Sequence, residues 1–439
     1  MTVSQAAQPI EASRASMTPK AKTPWAWVPS LSFMSGMPYV AVMTLSVILY
    51  KNLGVSNTDI ALYTSWLYLP WVIKPLWSPF VEMFGTRRSW IVALQFASGV
   101  ALAAVAFTIP MPGFFQMTLA MFWLLAFASA THDIAGDGMY MLALAPHQQA
   151  AFIAVRSTAY RLAMIAGQGA CVYLAGSLIQ STGKATLAWT IVFALLAALM
   201  LATALYHRFA LPRSAADIPT AHGSGVLADF VSTFAAFFRR RDIVLVLALL
   251  LLFRFGEAQL LKLAPPFMLD PIAQGGLGLS AQQVGIVYGT IGVIALTLGG
   301  FLGSYLVWRF GLKRVLWPLV TAVHAPNLVY IYLAAAQPDS IVLISAAVAF
   351  EQFGYGCGFT AFMLYMMLVA QGPHQTAHYA ICTGFMALGM MLPGMISGWI
   401  QAQLGYVNFF VWVCVATIPA FIATAFLKIE PAYGRKPSE

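Results

Sequence analysis

Two aspartates four residues apart, Asp133 and Asp137, stand in an apolar run over 114–144, and two arginines, Arg156 and Arg161, open the next such run. Each run exceeds the ~20 residues that a helix needs to cross a bilayer. Four formal charges therefore lie at membrane depth, where charge is costly and faces a bundle interior or a watery path rather than lipid. A spacing of four puts Asp133 and Asp137 on one helix face, whereas the step of five turns Arg156 and Arg161 to different faces. Carboxylates and guanidiniums in this setting permit reversible protonation, because a carboxylate changes its proton affinity as a cationic partner comes and goes. The competing use is a permanent ion pair that fixes helix packing.

A second set lies further along. Arg254 and Glu257 are three apart and can pair within one helix. Lys262 follows on the same run and is expected to reach toward the membrane surface. Glu351 is a lone acid early in a later run, either a proton carrier or a partner of Lys74, Arg254 or Lys262. Five cations (Lys74, Arg156, Arg161, Arg254, Lys262) then face four acids (Asp133, Asp137, Glu257, Glu351), a balance that suits a polar solute, anionic ones included. The candidate proton-coupling residues are Asp133, Asp137, Glu351 and Glu257. The candidate solute contacts are Arg161, Arg156, Lys74, Arg254 and Lys262, with Tyr140 and Tyr355, which share runs with the central acids. His132 beside Asp133 reads as a packed, hydrogen-bonded histidine in preference to a proton relay, and His147 and His374 mark a repeated turn. No H-E-x-x-H, nucleophile elbow or phosphate-binding glycine loop occurs, so an enzyme is not expected. Neither a metal nor a cofactor is expected, only the proton as coupling ion. The four cysteines sit in apolar runs without C-x-x-C spacing and read as free structural thiols.

The elements that must position these groups are helices. The chain is 60% hydrophobic and 8% charged, against about a quarter charged in a soluble protein. An open sheet could not satisfy its backbone in lipid. The fold class is all-α and polytopic, with twelve transmembrane helices in two six-helix bundles. The expected cores are 26–50, 57–83, 88–109, 114–144, 149–180, 185–206, 243–269, 281–308, 313–336, 340–370, 377–403 and 407–427. The expected domains are a tail (1–24), an amino-terminal bundle (25–207), a linker (208–241), a carboxy-terminal bundle (242–428) and a tail (429–439). The tail before residue 25 is polar and unlike a cleaved signal, so the first helix is expected to direct insertion. Sixteen of the 23 basic residues fall on the side of the two tails and only Lys51 and Lys184 on the other. Both termini are thereby expected in the cytoplasm. The net charge of +9 resides in short loops and tails, which argues against nucleic acid as a partner; a monomer in the bilayer is expected. In the linker, Leu227, Phe230, Val231, Phe234, Phe237 and Phe238 recur at helical spacing before three arginines, the pattern of an interfacial helix.

The chain repeats itself about this linker. Phe84-Gly-Thr-Arg-Arg88 corresponds to Phe310-Gly-Leu-Lys-Arg314, and Pro146-His-Gln148 to Pro373-His-Gln375. Gly54-Val-Ser is echoed by Gly278-Leu-Ser. Parallel halves joined by a long loop describe the major facilitator architecture, with a site between the halves near mid-membrane. Glu82-Met-Phe-Gly-Thr-Arg-Arg88 resembles that superfamily's loop G-x-x-x-D-R-x-G-R-R, departing from it at Ser78, Met83 and Thr86. The resemblance makes Glu82, Gly85, Arg87 and Arg88 a candidate conformational gate. Ser35-Gly-Met-Pro38, Lys74-Pro-Leu-Trp-Ser-Pro79, Ser129 to Asp137 and Tyr160-Arg-Leu-Ala-Met164 resemble segments of AmpG-type permeases, which belong to the peptide, acetyl-coenzyme A and drug transporter branch. The detailed likeness covers roughly residues 30–180.

That resemblance implies a proton-driven importer in the bacterial inner membrane, carrying muropeptide or amino-sugar oligosaccharide fragments from periplasm to cytoplasm by alternating access. Permeases of siderophores or other small metabolites, working by import or by proton antiport, stand as the alternative. A membrane sensor without transport is a further one.

Overall fold

The computed structural model describes residues 23–144, 146–213, 217, 226–371, 375–431 and 433–434. The amino-terminal tail before Thr23, His374 and the last five residues lie outside them, as do the side chains of Glu82 and His147. Among the described residues there are helices and turns and no strand.

Among the described residues, ten helices are long and apolar enough to cross a membrane. One of them, Ala377–Ala425, runs 49 residues and bends at Gly405, whose φ of 70° favours a residue without Cβ. It supplies two passes, the eleventh and twelfth. A further pass, the second, is broken: Asn57–Trp66 and Leu69–Met83 meet at Leu67-Tyr68, with Pro70 in the first turn after the break. A proline is accommodated there because the first backbone N–H groups of a helix have no intrahelical partner. Counted in this way, the described residues carry twelve candidate passes, the number expected. Pro265, Pro266 and Pro318 also lie inside helices, the first two in the seventh pass.

Most of the spanning surface is apolar on its outer side, with Phe96, Phe107, Leu195, Phe301 and Val342 among the exposed side chains. In water such a surface would be an aggregation hazard, and in lipid it is solvated. One large core joins the two halves, from Met34 and Val40 through Phe122 and Trp189 to Leu260, Phe267 and Phe410. Small residues bring helices together where large ones could not. A Cβ placed on Gly299 would stand 2.0 Å from the Phe353 carbonyl oxygen, the close approach within the second half that its glycine-rich run suggests.

The two halves meet on the face opposite the termini. Gly176 of the fifth pass is so close to the eighth that an added Cβ would lie 2.1 Å from the Gln282 amide nitrogen. Gly289 likewise abuts the Gln168 carbonyl oxygen at 2.0 Å. Both passes carry a π-helical stretch at this seam, Ile165–Cys171 and Gly285–Gly292, and such widened turns are frequent at functional places. The second and eleventh passes make the matching seam, with Gly398 against the Asn57 carbonyl and Gly394 against Ser65.

The linker forms the expected helix, Val226–Phe238, and part of its apolar stripe packs against the second half. Phe237 is fully buried in the second half's core, beside Val246 and Leu249, and its ring meets His378 at 5.4 Å. Phe234 packs against the same core, while Val231 and Phe238 remain exposed. The protein therefore covers one edge of the apolar stripe, because the bundle offers it a complementary groove.

Candidate functional site

The fourth pass, Phe114–Ala143, carries Asp133 and Asp137 on one face, and they take different partners. Arg156 donates from Nη2 to Asp137 Oδ1, and its guanidinium lies 5.0 Å from the Tyr140 ring centroid. The side chains of this pair are 37% and 46% exposed. Asp133 makes no ion pair within the described residues; its Oδ2 accepts the Trp71 indole N–H at 3.3 Å. Lys74, Asp137 and Arg156 all act on Asp133 through their charge. His132 is turned the other way, buried, with Gln95 at 3.1 Å and Ser35 at 3.4 Å. That is the packed arrangement preferred from sequence.

Arg161 does not join the aspartates, in keeping with the different face that its spacing from Arg156 gives it. It points across to the eighth pass, where Nη1 stands 3.4 Å from Thr297 Oγ1. Five residues of helix separate it from Arg156, so the two guanidiniums leave the helix in different directions.

The opposite wall comes from the second half. Arg254 bonds Glu257 at 2.8 Å and the Tyr355 hydroxyl at 2.6 Å, and its guanidinium lies over the Tyr355 and Phe359 rings. This pair is closed in, with side chains 8% and 1% exposed. The helix is interrupted at this point: Ile243–Leu252 ends and Phe255–Leu269 begins around Arg254. Glu351 is also buried and finds no cation. Its Oε2 accepts from Gln352 at 3.0 Å and faces Tyr330 at 3.5 Å, while Oε1 has no partner among the described residues. None of the cations named as alternatives for it reaches it as an ion pair.

Lys262 departs from the expectation. It is 6% exposed and does not extend to the membrane surface. Its Nζ donates to Thr64 of the first half at 3.0 Å and lies 5.5 Å from the Tyr68 ring centroid. The seventh pass packs directly on the second here, so the lysine has no way out and a hydroxyl and a ring satisfy it instead.

Aromatic side chains join the walls. Tyr39 meets Trp71 edge-on at 5.4 Å and Tyr160 at 6.5 Å, and the charge of Arg254 acts on both Tyr39 and Tyr68 from across the seam. The halves thus face each other across a lining of tyrosines, a tryptophan and paired charges. It is exposed at Asp137 and Arg156, toward the face that bears the termini, and closed at Arg254 and Glu257.

Two further sets of contacts hold the ends of the path. On the termini side, the Asp217 carboxylate of the linker accepts the backbone N–H groups of Arg87 and Arg88 at 2.8 and 3.1 Å. Arg88 also donates to the Arg208 carbonyl, and Gly85 takes φ 87° in the turn before them. On the other side, Asp270 receives Lys51, Asn57 and Tyr406 together. Asn57 also donates to Gln401 at 3.1 Å and accepts from Lys51 at 2.8 Å. Sequence reading missed both Asp217 and Asp270. Asp270 closes an apolar run just before Pro271, which is the one signal that marked it, whereas Asp217 lies within the polar linker and carries none.

Known proteins place this arrangement. The chain is 28% identical over 417 residues to the anhydromuropeptide permease of Escherichia coli, covering 92% of this chain and 80% of that protein. It is 25% identical over 417 residues to the putative transporter AmpG 4 of Rickettsia conorii, covering 91% and 95%. In three dimensions it resembles a bacterial homolog of the human lysosomal transporter Spinster, solved in an inward-facing, unoccupied conformation. That match has a TM-score of 0.67 at 15% identity and covers 92% of this chain and 95% of the other. The model of the Major Facilitator Superfamily matches residues 30–372, and the chain, a multi-pass membrane transporter and not an enzyme, belongs to that superfamily.

Proposed function

We propose that the protein is a proton-coupled importer of muropeptide or amino-sugar oligosaccharide fragments in the bacterial inner membrane. The substrate class rests on the likeness to the anhydromuropeptide permease, which extends along 92% of the chain. The basic face is the cytoplasmic one, so the chain is arranged with its periplasmic seam shut and its charged lining open to the cytoplasm.

The observation that carries the coupling is the unequal treatment of the two aspartates. Asp137 has a guanidinium as permanent neighbour in this arrangement, whereas Asp133, one turn away, has only an indole N–H. A carboxylate at membrane depth without a cation can be neutralised by a proton, and a neighbouring pair that parts or re-forms changes how firmly it is held. Lys74, Asp137 and Arg156 surround Asp133 within the first half, so the arrival or release of an acidic solute among these cations changes the charge that Asp133 meets. Arg156 and Lys74 supply positive charge to acidic groups of the solute, and Tyr140 and Tyr355 supply ring faces for sugars. Arg254, held by Glu257 and Tyr355, keeps the second wall in register.

The test is uptake into proteoliposomes under an imposed pH gradient, with a labelled anhydromuropeptide. Asp133→Asn should abolish uphill accumulation while exchange of solute down its own gradient persists. Undiminished accumulation by that variant would remove Asp133 from coupling, and absence of any uptake by the unaltered protein would remove the substrate class.

A further inference from the structure

On the face opposite the termini lies a cavity of about 920 Å³ that the charged lining does not reach. It stands over the shut seam, bounded by the first, second, fifth, sixth, seventh, eighth and eleventh passes. Its polar lining is dominated by carboxamides: Asn52, Asn57, Gln180, Gln274, Gln282 and Gln401. The two formal charges in it, Lys51 and Asp270, neutralise each other directly. Each carboxamide offers two donors and an acceptor oxygen. The Asn57 amide group is engaged with Asp270, Gln401 and Tyr406 across the shut seam, Gln401 accepting through Oε1, and Asn52 accepts the Trp189 indole at 3.1 Å. Among the described residues, Gln180, Gln274 and Gln282 make no side-chain bond of that kind; Gln282 is half-buried beside Gly176 and the other two are exposed.

We propose that this cavity is a second binding site, a vestibule for the neutral N-acetylated sugar portion of the solute. A neutral, amide- and hydroxyl-bearing ring matches a lining of free carboxamides with no net charge. A cation or an anion would gain no counter-charge there, because Lys51 and Asp270 are already paired. The volume lies within the range of small-ligand sites, about 300–1,000 Å³, and accommodates a disaccharide. The site is accessible while the central lining faces the other way, so a solute can wait in it until the seam opens. A ring that bonds Asn57 or Gln401 competes with the contacts that hold the seam shut, which links occupancy of the vestibule to opening. This inference takes its sugar class from the proposed substrate.

The probe is N,N′-diacetylchitobiose, titrated calorimetrically into the purified full-length protein in nanodiscs. Saturable binding is expected, weakened about tenfold in Gln180→Leu/Gln282→Leu through the loss of two hydrogen bonds. Gln116→Leu, at an exposed glutamine on the same face but outside the cavity, should leave it unchanged. Glucosamine, the cationic counterpart, should bind more weakly than the neutral probe. If the double variant fails to fold, Gln274→Leu, on the exposed turn, provides the same comparison. Absence of saturable binding, or binding lost in Gln116→Leu and intact in the cavity variants, would overturn the vestibule. If chitobiose binds as expected but no anhydromuropeptide is taken up, the substrate reading falls and the vestibule stands.

Discussion

Replacing Asp270 by asparagine should shift the protein toward the state in which the opposite face is open. Lys51 and Asn57 belong to the first half, and Asp270 and Tyr406 to the second, so the cluster exists only while this face is shut. The carboxylate is 5% exposed and the lysine 15%, so water screens their attraction little. Asp270→Asn keeps the shape and the oxygen that accepts from Tyr406, but removes the charge that holds Lys51. A charge-assisted hydrogen bond in such a setting contributes about 1.5–3 kcal/mol. At about 2 kcal/mol, the ratio of shut to open states should fall roughly 30-fold. Because the open state lacks the contact anyway, the loss should appear in this ratio far more than in the melting temperature of the open form. The assay is the distance distribution between spin labels on the rims of the two halves, at Thr58 and Gln274, in nanodiscs. A distribution unchanged by Asp270→Asn, with the protein folded, would refute the reasoning, since the cluster would then contribute nothing to closure. Lys51→Met should reproduce the shift by removing the other partner.

Other consequences follow from single contacts. Gly289→Val should disfavour the shut seam by about 1–3 kcal/mol, because its side chain would need the space of the Gln168 carbonyl; increased labelling of seam residues from the opposite face would show it, and unchanged labelling would contradict it. Lys262→Met should raise the melting temperature by a few degrees, since an apolar chain of similar length replaces a buried cation without a carboxylate; a marked fall would mean that its bond to Thr64 outweighs the cost of burial. Asp217→Ala should release the linker from the turn before the third pass. The two backbone N–H groups it caps put the loss at about 1–2 kcal/mol, readable as faster proteolysis of the linker in the folded protein.

The correspondence between sequence and structure differs from residue to residue. The shared face of Asp133 and Asp137 and the pairing of Arg254 with Glu257 are properties of one helix, and spacing alone revealed them. The division of labour between the aspartates was not legible, because the indole that holds Asp133 belongs to the second pass. Lys262 was misjudged for the same reason, since its partner Thr64 lies 198 residues away; the spacing showed that Arg161 turns away from Arg156, but not that it meets Thr297, 136 residues away. The linker helix showed its apolar stripe in the sequence, but not that Phe237 would find a groove beside His378.

The sequence by itself determined that this chain spans a membrane many times in two similar halves, and which helices carry charge at what depth. Run length, basic asymmetry and repeat are written along one dimension, and the bilayer imposes them on any fold. Only the tertiary structure decided which charges meet, which face is shut and where the carboxamides gather. Those outcomes depend on how each helix is turned about its axis against segments hundreds of residues distant, and that rotation is set by packing between surfaces that spacing within one helix does not encode.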